Sequence, residues 1–443
     1  MANKRITSDK LLKFCFIIAL IAVVLTFIFI YYEKKKIVVL EFGTFAGSIY
    51  DVPDWQSYKA LDKAIDKFEK LHPNIKIKYK SGILKSDYSE RLSQSIIKGN
   101  EPDVFCVLPG DFNTFTSIGI LEKLDNFIKK DSSFDINKIY ENAVQAGQSQ
   151  GYQYALPKEL DPELMFVNKT LLEKEGIEVP SGNWNWQDFY NICKKITKDT
   201  DGDGRLDQFG VVGFQWQHAV YTNGQQLFDL NGNSADFNKE GIIEAISFIT
   251  SLNKLNQNYT VTLQDFDAGK VAFKPFLFSS YRAYKIYPYK VIRYGKFEWE
   301  CIKLPRGPKG NNASQLNSFL IGMSSRSKHK KEAWEFLKFL TYNKDIQLDV
   351  FRYSYGMPVI KDIVGSIEAE NELLKYSSGE KFFMDKKSLE EIVEQSLPTP
   401  RFHKYEEAMD IADKEIYQLI NSGKDAEGTI AKLNNKINNL LKQ

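Results

Sequence analysis

Between Ile37 and Val107 the chain alternates between short apolar runs and amphipathic helical stretches, and this alternation limits the fold more than any other feature. Ile37-Val38-Val39-Leu40-Glu41-Phe42 is a β-branched run of the kind a buried strand requires. From Ser57 onward Tyr58, Leu61, Ile65, Phe68 and Leu71 recur at helical spacing until Pro73 ends the pattern. Ile75, Ile77 and Tyr79 then alternate with lysines, the period of a half-buried strand. A second helix is expected to end at Gly99-Asn100, and Pro102-Asp103-Val104-Phe105-Cys106-Val107 opens a third strand. Strand, helix, strand, helix, strand predicts a parallel α/β sheet covered by helices. Ligands of such sheets bind beyond the carboxyl ends of the strands.

At 443 residues the chain is too long for one ordinary domain and suits two lobes, each burying its own core. Residues 160–270 read mainly as helix with one acidic turn near 200, strand signals return at 271–278 and 298–304, and helices follow at 331–341 and from Tyr405 onward. The segment Asn434–Gln443, with Ile437, Leu440 and Leu441, is expected to dock as a terminal helix. The 59 basic and 57 acidic side chains leave a net charge of +2, which gives no basic excess for nucleic acid as a partner. Cys106, Cys193 and Cys301 are scattered without a CxxC or metal spacing and read as small buried apolar residues.

Residues Phe14–Tyr32 form an apolar run broken only by Thr26, close to the ~20 residues a bilayer-crossing helix needs. The run ends in Phe29-Ile30-Tyr31-Tyr32, without the small residues of a signal-peptidase site. Residues 1–36 therefore read as a cytoplasmic stub and an uncleaved single-pass membrane anchor, with everything after it outside the cell.

Asp199-Thr200-Asp201-Gly202-Asp203-Gly204-Arg205-Leu206-Asp207 places carboxylates at positions one, three, five and nine and glycine at the turning position six. Oxygen donors at alternating positions of a tight loop converge on one hard cation, so Asp199, Asp201, Asp203, Arg205 and Asp207 form a candidate structural Ca2+ loop. Position twelve is Gly210 and lacks the bidentate glutamate of an EF-hand. No histidine (72, 218, 329 or 403) lies in an HExxH pattern, and neither a Walker loop nor GxGxxG occurs, so no catalytic residue and no catalytic cofactor are expected.

Several stretches resemble, in order, the family 1 extracellular solute-binding proteins of ABC transporters. They are Asn100-Glu101-Pro102-Asp103-Val104 with Gly119-Ile120-Leu121-Glu122-Lys123-Leu124, then Tyr154-Ala155-Leu156-Pro157 with Phe166-Val167-Asn168-Lys169 and Leu172-Glu173-Lys174-Glu175-Gly176-Ile177. Leu304-Pro305-Arg306-Gly307-Pro308, Ala333-Trp334-Glu335-Phe336-Leu337-Lys338-Phe339-Leu340 and Tyr355-Gly356-Met357-Pro358 continue the series. The likeness implies a two-lobed periplasmic-binding-protein-like fold with a hinge, here preceded by one transmembrane helix. The lobes are expected to comprise 37–145 with 271–325, and 146–270 with 326–443. Gram-positive members of the family usually carry a lipid-modified cysteine after the signal run. Cys15 lies within the run's start and is not preceded by a lipobox, which favours the transmembrane anchor.

The resemblance also implies a cleft that captures a carbohydrate or another small solute and hands it to the permease subunits of an importer. By position in the family pattern, the cleft residues are Phe42, Thr44 and Phe45 after the first strand, Asp111 after the third, and Glu159 and Asp161 after the Leu-Pro turn. Trp216 and Gln217 follow the acidic loop, Ser280, Tyr281 and Arg282 fall where a Gly-x-Trp often stands, and Tyr355 and Gly356 complete the set. Aromatic faces suit the C–H surfaces of a sugar, and carboxylate, amide and guanidinium groups suit its hydroxyls. Two other roles remain open: a membrane-anchored solute sensor working with a sensor kinase, and an extracellular hydrolase, for which no catalytic motif is present.

Overall fold

A computed structural model describes residues 13–23, 37–50, 52, 57–180, 182–229, 231–257, 259–285, 296–374, 384, 386–422 and 426–442. The expected alternation opens the chain: strand β1 (Val38–Gly43), a helix at Ser57–Leu71, β2 (Ile75–Tyr79), a helix at Lys85–Lys98 and β3 (Val104–Val107). β2 and β3 both lie parallel to β1, with Val38 opposite Ile75 and Phe42 opposite Val104. The second helix stops where expected, because Gly99 takes a left-handed φ of 70° and returns its N–H to the carbonyls of the last turn. A two-strand hairpin, β4 (Gln148–Ser149) and β5 (Tyr152–Gln153), then leads into β6 (Ala155–Asp161).

Beyond Pro162 the chain enters a second sheet. β7 (Glu163–Asn168) is flanked by antiparallel β9 (Val271–Leu277) and β10 (Trp299–Ile302), and β8 (Phe209–Val211) runs parallel to β9. The chain then returns to the first sheet with β11 (Gln315–Met323), which pairs antiparallel with both β3 and β6 and parallel with β12 (Leu397–Pro398). The strand reading of 271–278 and 298–304 therefore holds, while β7 and β11 lie in stretches whose sequence reads as helix or carries no strand signal. Both are buried on two faces. In β7, Leu164 and Phe166 enter one hydrophobic cluster and Met165 and Val167 the other, so no polar alternation marks the strand.

This topology redraws the lobe boundaries. Residues 271–302 belong with the second sheet because β9 and β10 pair with β7. Residues 146–161 belong with the first, through β6. The helix at Lys330–Tyr342 also packs on the first sheet: Phe336 meets Phe42 at 5.4 Å and Phe68 at 5.0 Å between ring centroids. Of the described residues, those in 37–161 and 313–398 thus form the first lobe and those in 162–312 and 399–442 the second. Among the described residues three segments cross between them, at 161–163, 303–314 and 398–405.

The terminal helix Ala426–Leu441 docks as expected, burying Ile430, Leu433 and Ile437. Cys106, Cys193 and Cys301 are all buried, as their scattered spacing suggested. Residues 13–23 are helical with Phe14, Phe16 and Leu20 exposed, and residues 24–32 of the apolar run lie outside the described residues. Among the described residues no helix is long and apolar enough to cross a membrane.

Candidate functional site

The carboxyl ends of β1 and β3, the end of β6 and the segment 349–354 enclose a cavity of about 110 Å³ in the first lobe. Four of the expected residues line it: Phe42, Thr44, Phe45 and Glu159. Phe42 and Phe45 are each 5% exposed and belong as much to the core as to the wall, Phe45 lying edge-on to Tyr88 at 5.2 Å. Cys106 Sγ approaches Thr44 Oγ1 at 3.8 Å, and burial pushes the Cys106 thiol up to about 12, so it stays protonated.

The polar floor depends on an irregularity in β6. Glu159 pairs with Phe319 and Pro157 with the next residue, Leu320, so Lys158 is the extra residue of a bulge. Pro157 has no N–H for the ladder, and prolines inside sheets concentrate at such places. Adjacent strand residues normally point to opposite faces; the bulge lets Lys158 and Glu159 meet, Nζ to Oε1, at 2.5 Å. The Glu159 side chain is only 3% exposed, and its second oxygen accepts the Ser354 hydroxyl. Gly356 lies against this group. A Cβ there would stand 2.6 Å from the Tyr50 hydroxyl and 2.9 Å from Glu159 Oε2, so the close approach requires glycine. The Tyr50 hydroxyl is buried without a hydrogen-bond partner, and burial, helped by Glu159 and Asp161, holds it well above the usual phenol range.

Asp161 closes the first-lobe rim. It is fully buried and accepts the Ser279 N–H (2.8 Å) and hydroxyl (2.6 Å). Burial outweighs those two bonds and raises its carboxyl to about 8. Two residues on, across Pro162, Glu163 is treated differently. Burial pushes it up, but His218 and Ser314 more than compensate and hold it below the usual carboxylate value. His218 Nδ1 accepts the Gln215 N–H at 2.7 Å, so Nε2 carries the proton given to Glu163 at 2.8 Å.

The remaining candidates divide. Arg282 donates to the carbonyls of Phe351, Ser354 and Gly356, fastening the helix Phe278–Lys285 to the cavity wall. Ser280 and Tyr355 are half-buried near these contacts. Tyr281 is a core residue, 3% exposed and edge-on to Trp299 at 5.6 Å. The Trp216 ring is fully buried in the second-lobe core, and Nε1 donates to Asp413 at 2.8 Å. Gln217 donates to the same carboxylate, with its own Oε1 buried and without a partner. Asp111 stands apart from the cavity, bonded to the Ser89 hydroxyl and raised by burial. Lys158, Ser354 and Tyr50 were not among the expected residues. Pro157 inside a strand was the one sequence signal for the bulge that places Lys158.

In the acidic loop, Asp199, Asp201 and Asp203 each bring a carboxylate oxygen within 4.8 Å of the others. Asp207 and Arg205 fall outside this group. Both Asp207 oxygens accept from Thr200, at 2.9 Å from N–H and 2.6 Å from the hydroxyl, and the Arg205 N–H donates to Asp203 at 2.8 Å.

Two α/β lobes joined, among the described residues, by three crossings, with a mainly apolar cavity holding a few charged and hydroxyl groups at the carboxyl ends of the first sheet, make up the two-lobed architecture of periplasmic-binding-protein-like folds. The sequence model described as Bacterial extracellular solute-binding protein matches residues 53–345, and the chain belongs to that family. A binding protein of Brucella abortus is 24% identical over 290 residues, covering 62% of this chain and 66% of the relative. Among solved structures, the cyclic alpha-maltosyl-1,6-maltose binding protein of Arthrobacter globiformis superposes with a TM-score of 0.75 at 15% identity, covering 92% of this chain and 99% of that one. A Listeria monocytogenes ABC substrate-binding protein in complex with cycloalternan gives 0.65 at 20% identity, covering 92% and 99%. At those identities the likeness is one of fold.

Proposed function

We propose that this protein captures a carbohydrate, an oligosaccharide in particular, outside the cytoplasm and delivers it to the permease subunits of an ABC importer, without turning it over. The observation that carries this reading is the first-lobe floor, where the Lys158–Glu159 pair, Ser354 and Tyr50 stand among the aromatic rings of Phe45, Tyr58 and Phe319. Charged donors and acceptors beside apolar rings suit a ligand with hydroxyl edges and C–H faces. The cyclic sugars named for the two structural neighbours support the same solute class. The apolar run at 14–32 supports attachment of the binding domain to the membrane. Membrane fractionation with and without residues 1–36 tests that attachment.

The sugar assignment is tested by thermal shift of residues 36–443 against a panel of mono- and oligosaccharides. A ligand at ~100 times its dissociation constant that binds only the folded state adds ~2.7 kcal/mol. A shift with no product formed supports the proposal; a folded protein silent across the panel overturns it. Calcium is the reading favoured for the loop at 199–203, on the convergence of three carboxylates, those of Asp201 and Asp203 exposed and that of Asp199 half-buried.

A further inference from the structure

The first sheet ends at β2, and one of its faces stays uncovered there. On the covered face Leu40 and Phe42 of β1 and Ile75 and Ile77 of β2 are buried in the first-lobe core. On the other face the helix Lys85–Lys98 sits towards β3, where the Tyr88 hydroxyl stands 3.0 Å from the Gly43 carbonyl and 2.9 Å from that of Cys106. Beyond that helix Glu41 lies opposite Lys78 and Val39 opposite Lys76, all four exposed. A cavity of about 250 Å³ opens between β1, β2 and the helix, sharing only Phe42 and Thr44 with the solute pocket. Lys78, Lys80 and Arg91 line it, and Glu41 is the one carboxylate of the lining.

Lys76 is held by Glu69 at 2.6 Å, whereas Lys78, Lys80 and Arg91 form no ion pair with any described residue. Three exposed cations against one carboxylate attract anions. The apolar neighbours, Val39 at 40% and Ile37 at 60% exposed, favour a partner that also excludes water. The sequence brings such a partner close. Only Glu33-Lys34-Lys35-Lys36 separates the apolar run ending at Tyr32 from Ile37. Five residue steps span at most ~18 Å, so β1 begins within that distance of the end of the run.

We propose that this face of the first lobe rests on the bilayer and takes the headgroups of anionic phospholipids at Lys78, Lys80 and Arg91. The proposal rests on the membrane attachment read from residues 14–32. Three cations bind an anionic surface weakly by themselves, but a short tether makes the contact intramolecular and raises its occupancy. Contact on this face fixes one orientation of the tethered lobe above the membrane.

The test is lysine labelling of the full chain in lipid nanodiscs of phosphatidylcholine, with and without phosphatidylglycerol, read by mass spectrometry. Lys78 and Lys80 are expected to react at least threefold more slowly where phosphatidylglycerol is present. Lys194, exposed on the second lobe, should react equally in both. The protection should vanish at ~1 M salt, where the Debye length falls to ~3 Å. It should weaken at least twofold in Arg91→Glu, an exposed change that leaves the fold intact. Equal labelling of Lys78 and Lys80 in the two nanodiscs overturns the proposal and leaves the attachment standing. So does protection that survives salt or Arg91→Glu, or that extends equally to Lys194. A chain that enters neither nanodisc overturns the attachment, and the proposal with it.

Discussion

On the first-lobe side of Pro162, Asp161 is buried among neutral partners, the amide and hydroxyl of Ser279, and is raised to about 8. On the second-lobe side, Glu163 faces the imidazole of His218 and is held low. The same contrast runs through the two rims. The first-lobe rim keeps polar groups around a cavity, with the Tyr50 hydroxyl unpartnered and Gly356 kept small beside it. The second-lobe rim is tied internally, Trp216 and Gln217 to Asp413 and His218 to Glu163. One rim thus leaves polar groups beside a cavity, while the other ties most of its polar groups to one another.

Breaking the second-lobe rim should cost most. Trp216→Ala removes a fully buried indole and the N–H held by Asp413, and is expected to lower stability by ~3–5 kcal/mol in urea titration. A loss below ~1 kcal/mol would mean the ring is not packed as described.

The next effect is on pH dependence, and the two carboxylates pull in opposite directions. Folded Asp161 keeps its proton to about 8, whereas the unfolded group loses it near 3.8. Between those values the folded state binds the extra proton, so this contribution to stability falls as pH rises. Glu163, held below 4.5, contributes stability that is present above that value and lost as pH falls. Asp161→Asn should therefore flatten the decline in melting temperature between about pH 5 and 8. A decline of unchanged slope would assign it to another group.

The smallest effect belongs to the acidic loop, far from either rim. Calcium at ten times its dissociation constant should raise stability by ~1.4 kcal/mol, and Asp201→Asn should remove most of that gain. No calcium-dependent shift in the parent protein would show the loop to be a solvated turn.

The parallel core of the first lobe was legible because β1, β2 and β3 are separated by helices with clear stops, at Pro73 and at the left-handed Gly99. β7 and β11 were not, because a strand buried on both faces loses the alternation that separates it from helix. Missing β11 also misplaced the lobe boundary, since that strand brings the chain back to the first sheet. Within the site, Glu159 and Asp161 could be placed from the family pattern, but Lys158 reaches Glu159 only through the bulge at Phe319 and Leu320. The burial of Trp216 was not legible, because its place in sequence, at the start of a helix after the acidic loop, leaves open whether the ring faces the cleft or the core.

The most direct test is a calorimetric titration of the sugar found by thermal shift into the parent protein and Glu159→Gln, with Asp201→Asn as the remote control. At least a tenfold loss of affinity, ~1.4 kcal/mol, is expected in Glu159→Gln, with folded structure retained and the control unchanged. Equal affinity in Glu159→Gln and the parent protein would contradict it and move solute recognition away from the first-lobe cavity.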